Sequence, residues 1–122
     1  MYDHIPVYQS TYELLISISK ITVSFPKEYK YTFGERLQNY SIDALAEITL
    51  ATNEFENSQK IIHINNAKKS IALVKVIIRA CNEINIISHT AYTNIINSLF
   101  DISKQLDNRY NAIYKKQNPK NG

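Results

Sequence analysis

Three histidines, one cysteine and two glycines limit the chemistry this 122-residue chain can offer. His4, His63 and His89 lie far apart, and none stands in the Glu-x-x-His or His-x-x-x-His spacing by which a helix aims two ligands at one metal. Cys81 sits in an aliphatic stretch with no Cys or His partner at ligand spacing. Counting therefore excludes disulfide and zinc frameworks, and the thiol reads as a small core residue. Gly34 and Gly122 alone cannot build a glycine-rich phosphate loop. Serine, histidine and aspartate all occur, but no nucleophile elbow accompanies them. The expectation is a protein that is not an enzyme and holds no metal and no cofactor.

The cations say more than the formal net charge of +3. Lys68, Lys75 and Arg79 are offset by seven and four residues, which puts them within roughly 40° of one another on an ideal helix. They form one basic ridge beside an apolar seam, where long aliphatic stems can cover the edge of a bundle while the charges reach outward. Repeated around a cyclic homo-oligomer, such a ridge would track the phosphates of RNA or DNA by charge, without reading sequence. Lys60, Lys69 and the lysines of the C-terminal tail would add to it. The charge also has a plainer account. Segment 32–56 holds Glu35, Asp43, Glu47, Glu54 and Glu56 against Arg36, whereas segment 57–88 holds Lys60, Lys68, Lys69, Lys75 and Arg79 against Glu83. Oppositely charged neighbours steer each other into register, and exposed pairs add little stability. The nine tyrosines, among them Tyr2, Tyr8, Tyr12, Tyr29 and Tyr31, offer faces for base stacking, although packing with an exposed hydroxyl is their commoner use.

The elements that must position these residues are helical. So few glycines and prolines imply few turns, hence long elements, and one domain is the natural reading at this length. Over 6–24 the positions Val7, Thr11, Leu14, Ile18, Ile21 and Phe25 repeat at three and four, with Pro6 suited to a first helical turn and Phe25-Pro26-Lys27 as the stop. A loop over 26–31 follows. Thr32 and Glu35 have capping-box spacing and open a second helix over 32–56, whose stripe is Phe33, Leu37, Tyr40, Ala44, Leu45, Ile48, Ala51 and Phe55. The third segment, 59–83, carries Ile64, Ala67, Ile71, Val74, Ile78 and Cys81 on one seam and Ile62, Leu73, Val76 and Ile77 on other sides. The β-branched run Val74–Ile78 would also suit a strand, but length and seam favour a helix. A helix apolar nearly all round needs more than one covered face, so self-association is expected. After a turn at 85–88, Ser88 is the N-cap of a last helix over 89–114, built on Tyr92, Ile95, Ile96, Leu99, Ile102, Ser103, Leu106, Tyr110 and Ile113. The result is an all-α, antiparallel, up-down-up-down four-helix bundle over 1–114, assembled into a cyclic homo-oligomer and followed by a basic disordered tail over 115–122. The start has no basic segment followed by an apolar run, and the best apolar run, 71–78, is short and broken by Lys75. A cytoplasmic protein without a membrane span is expected.

PVYQSTYELL, FPK, TFGERLQN and ALVKVIIRACNEI together resemble the accessory variability determinant proteins of diversity-generating retroelements. That group belongs to the wider bacterial four-helix bundles that include ribosomal-RNA intervening-sequence proteins, and the likeness covers residues 5–114. The resemblance implies a homopentameric, barrel-like assembly that binds nucleic acid through a basic surface. It also implies association with a reverse transcriptase in mutagenic retrohoming. The basic positions it carries over are Arg36 in TFGERLQN and Lys75 and Arg79 in VKVIIR. Lysine at 75, where the pattern has arginine, keeps the charge and loses the bidentate fork. INNAKKS matches poorly, so Lys68 and Lys69 rest on the charge argument alone. Intervening-sequence bundles share the architecture without a reverse transcriptase, which leaves an interaction and oligomerisation module as the alternative.

Overall fold

A computed structural model describes residues 5–117. His4, Tyr2 and the tail from 118 onward lie outside the described residues. Helix α1 (Pro6–Thr22) has Pro6 in its first turn, as its sequence predicts, and buries Val7, Thr11, Leu14, Ile18 and Thr22 along one face. The two threonines are admitted because their hydroxyls donate within the helix, Thr11 to the Val7 carbonyl at 2.7 Å and Thr22 to that of Ser19 at 3.2 Å.

The loop expected over 26–31 is helical from Lys27. Pro26 is extended, and its carbonyl accepts the N–H groups of both Tyr29 and Lys30 at 2.9 Å, so the proline that ends one helix starts the next. Lys27–Tyr29 forms one α-turn, Lys30–Gly34 widens into a π-turn, and α2 (Glu35–Asn53) continues from it. The Thr32 capping box is therefore not formed. Thr32 stands inside the helical run, and its hydroxyl donates back to the Glu28 and Tyr29 carbonyls at 3.2 and 3.3 Å. Helix α2 buries Leu37, Ser41, Ala44, Ile48 and Ala51. Gln38 Nε2 donates to Thr22 Oγ1 at 2.9 Å, tying α2 to the end of α1.

Helix α3 (Asn57–Glu83) buries the whole expected seam, Ile64, Ala67, Ile71, Val74, Ile78 and Cys81. No strand forms among the described residues, so the β-branched run is decided by its neighbours in the seam. The helix closes on a left-handed residue, Asn85, at φ 63°. Asn85 N–H bonds to the Asn82 carbonyl and Ile86 N–H to that of Cys81, which satisfies the last turn as a Schellman motif does. Ser88 caps α4 (His89–Gln117) as expected, its Oγ accepting the Ala91 N–H at 3.1 Å. Helix α4 runs past 114, so Lys115 and Lys116 occupy its last turn, where the helix dipole favours cations, and not a tail.

Helices α2 and α3, α3 and α4, α1 and α2, and α1 and α4 pack against one another around one core, which makes a four-helix bundle. Burial pushes the Cys81 thiol up to about 11, so it stays protonated and unreactive at neutral pH. No helix among the described residues is long and apolar enough to cross a membrane.

Candidate functional site

The outer sides of α3 hold most of the residues that the sequence singles out, and the structure divides them three ways. Lys68 and Lys75, seven residues apart, lean over α4. Lys68 Nζ lies 2.9 Å from Asp107 Oδ1 and 5.0 Å from the centroid of the Tyr110 ring, while Lys75 Nζ lies 4.5 Å from that of Phe100. Their stems cover the α3–α4 seam as expected, but their charges are engaged within the chain. Lys69 and Arg79 are exposed and form no ion pair among the described residues. Arg36 is exposed on the opposite flank of α3, facing Leu73, Val76 and Ile77. Lys68 and Lys75 thus face α4, whereas Arg36 stands on the α2 side of α3.

A second gathering of cations is absent from any one-helix reading. Lys60 on α3 and Arg109 and Lys116 on α4 line a hollow of about 310 Å³ whose floor includes Ile48, Ala51 and Ile64. No spacing along the chain announces it, since only the pairing of α3 with α4 brings Lys60 near Arg109.

His63 also acquires a partner from another helix. Its Nδ1 lies 2.7 Å from Glu47 Oε2 on α2, and Asn66 Nδ2 donates to Glu47 Oε1 at 3.4 Å. A histidine oriented by a carboxylate can act as a base when a nucleophile reaches it. Among the described residues no hydroxyl or thiol hydrogen-bonds to His63, and the pair joins α2 to α3. Among the described residues no three His, Cys, Asp or Glu side chains gather to hold a metal ion.

A further hollow is apolar. It measures about 500 Å³ and lies between the Lys30–Gly34 turn with α2 on one side and α3 on the other, lined by Tyr31, Phe33, Arg36, Leu73, Val76 and Ile77. Tyr31 and Val76 are 64% and 63% exposed, and Ile62, on the same outer side of α3, is 49% exposed. Ile77 packs partly onto the core, so the outer surface of α3 is less uniformly apolar than its sequence suggests. Phe55 departs furthest from expectation. Its place on the α2 stripe is lost because the helix ends at Asn53 and Glu54 is extended, which swings the ring out to 95% exposure.

A single core enclosed by four helices defines a small helical-bundle protein. Residues 3–108 match the 23S rRNA-intervening sequence protein family, and the chain belongs to that family. No curated protein matches the sequence.

Proposed function

We propose that this chain is a non-enzymatic assembly module, an antiparallel up-down-up-down bundle forming one domain that self-associates into a cyclic homo-oligomer, with a pentamer as the expected size. The direction of the helices is supported by their cross-links. Lys68 meets Asp107 and Lys75 meets Phe100, so numbers fall along α4 as they rise along α3. Glu47 with His63 and Arg36 beside Val76 relate α2 to α3 in the same way. The observation that carries self-association is the outer side of α3, where Val76 and Ile62 stay exposed although the seam opposite is already filled by the chain's own core. Apolar surface gathered in one place beside a groove marks an interaction site. Light scattering at micromolar concentration tests this. A mass several times that of the 14.1 kDa chain is expected, and a monomer overturns the reading.

A second reading is favoured by cations that form no ion pair among the described residues. Lys69, Arg79 and the Lys60, Arg109 and Lys116 hollow, repeated around a ring, would hold RNA or DNA phosphates by charge. The narrower retroelement reading, with a reverse transcriptase as partner in the cytoplasm, rests on the resemblance at Arg36, Lys75 and Arg79. Lys75 fits that role less well because its ammonium already sits over Phe100. Reversing Lys60, Arg109 and Lys116 to glutamate should lower the slope of log affinity against log salt by about two to three for RNA. An unchanged slope removes these residues from the phosphate contacts. A neighbouring gene for a reverse transcriptase is the expected companion under the narrower reading, and its absence counts against it.

A further inference from the structure

We propose that the groove between the Lys30–Gly34 turn and α3 receives the Glu54-Phe55-Glu56 turn of a second copy of this chain. The inference rests on the self-association proposed above and names the two surfaces that meet. Phe55 is 95% exposed, more than any other large apolar side chain among the described residues. Its backbone is nonetheless held. One oxygen of the Glu54 carboxylate accepts the N–H groups of Phe55 and Glu56 at 3.1 and 3.4 Å, and Glu54 N–H bonds to the Ala51 carbonyl at 3.4 Å. An aromatic ring presented on an ordered turn loses little freedom when it docks.

The groove complements that turn in shape and in charge. Its volume of about 500 Å³ accommodates an aromatic ring, and its walls bring Tyr31, Phe33, Leu73 and Val76 to face it. Arg36 lines the same groove and is the cation the structure places there. The incoming turn carries a carboxylate on each side of its ring, in Glu54 and Glu56. An acidic aromatic knob thus matches an apolar hole with Arg36 in its wall.

The knob cannot fill the hole of its own chain. Arg36 and Asn53 lie near opposite ends of α2, about 25 Å apart at the rise of an α-helix. The contact must join the end of one copy to the flank of the next, and such head-to-tail contacts close into rings when the rotation between copies permits.

The test uses Phe55→Asp, which spoils the knob, and Val76→Asp, which spoils the hole. Both side chains are exposed, so the helical circular dichroism of each variant should match the wild type. Phe55→Ala serves as the milder knob variant. By light scattering across a dilution series, the wild type should be a multimer, and Phe55→Ala should raise the concentration of half-dissociation about thirty-fold or more, as loss of a central aromatic anchor does. Each Asp variant alone should be monomeric, and an equimolar mixture should give a dimer, because it retains one intact knob and one intact hole. A monomeric wild type overturns the self-association reading itself. A multimeric wild type whose mass is unchanged by Phe55→Asp or by Val76→Asp overturns only the knob-and-hole assignment, as does failure of the two monomeric variants to pair, and leaves the face to another occupant.

Discussion

Charge reversal at Lys68 should destabilise the bundle, whereas the same change at the adjacent Lys69 should leave it nearly untouched. Lys68 is held 2.9 Å from Asp107 and lies over Tyr110, with the two charged side chains 37% and 56% exposed. An ion pair this open contributes on the order of 0.2–1 kcal/mol after solvent screening. The cation over the ring adds roughly 0.5–1 kcal/mol at a site in contact with water. Lys68→Glu removes both and sets a second carboxylate beside Asp107, which makes the expected loss about 1–2 kcal/mol. At about 4 °C per kcal/mol for a chain of this length, the melting temperature should fall by about 4–8 °C in low salt. Lys69→Glu, which breaks no ion pair among the described residues, should stay within about 0.5 kcal/mol of the wild type. Adding Asp107→Lys to Lys68→Glu should recover part of the loss, and 1 M salt should narrow the gap between the two single variants. Thermal melts followed by circular dichroism measure all of this. Coincident melts for Lys68→Glu and Lys69→Glu at low salt would refute the view that Lys68 belongs to the α3–α4 seam.

The core, the α3 terminus and the thiol give three further tests. Ile78→Ala empties a position with no exposed surface and should cost about 2–5 kcal/mol by urea denaturation, while Ile62→Ala on the outer side should cost much less, provided that the protein is compared as a monomer. Asn85 has φ 63°, so Asn85→Gly should be neutral or slightly stabilising, and Asn85→Val should lose about 1–2 kcal/mol through left-handed strain. The Cys81 thiol, raised from 9.0 to about 11 in the fold, should resist alkylation at pH 8 except at the rate of unfolding. Because the folded state holds its proton more tightly, this group's stabilisation is complete below pH 9 and is lost as the pH rises through about 11. The difference between the wild type and Cys81→Ala isolates the effect.

Much of the bundle is legible in one dimension because helix burial follows a local period. Ile64, Ala67, Ile71, Val74, Ile78 and Cys81 can be assigned to the core from spacing alone, as can Leu14, Ile18, Leu99 and Leu106. Ser88 as a cap is equally local, since its hydroxyl needs only the N–H of Ala91 three residues on. Local signals mislead where two compete. Thr32-x-x-Glu35 has capping-box spacing, but Pro26 starts the helix earlier and leaves Thr32 inside it. Phe55 has the right phase for the α2 stripe, yet that phase means nothing beyond Asn53, where the helix stops.

The candidate site is less legible because its contacts cross between helices. The sequence by itself determined that Lys68, Lys75 and Arg79 share one side of α3, since seven and four residues return a helix to nearly the same angle. Only the tertiary structure decided what that side faces. Asp107, Tyr110 and Phe100 arrive from α4 and occupy Lys68 and Lys75, leaving Arg79 in solvent. Packing likewise joined Glu47 to His63, gathered Lys60 with Arg109 and Lys116, and opened the groove beside Arg36. The physical reason is the same throughout. A helix's own period fixes the angle at which a side chain leaves its axis, but the partner found at that angle depends on how far along the neighbouring helix lies, and the spacing of residues within one helix carries no record of that.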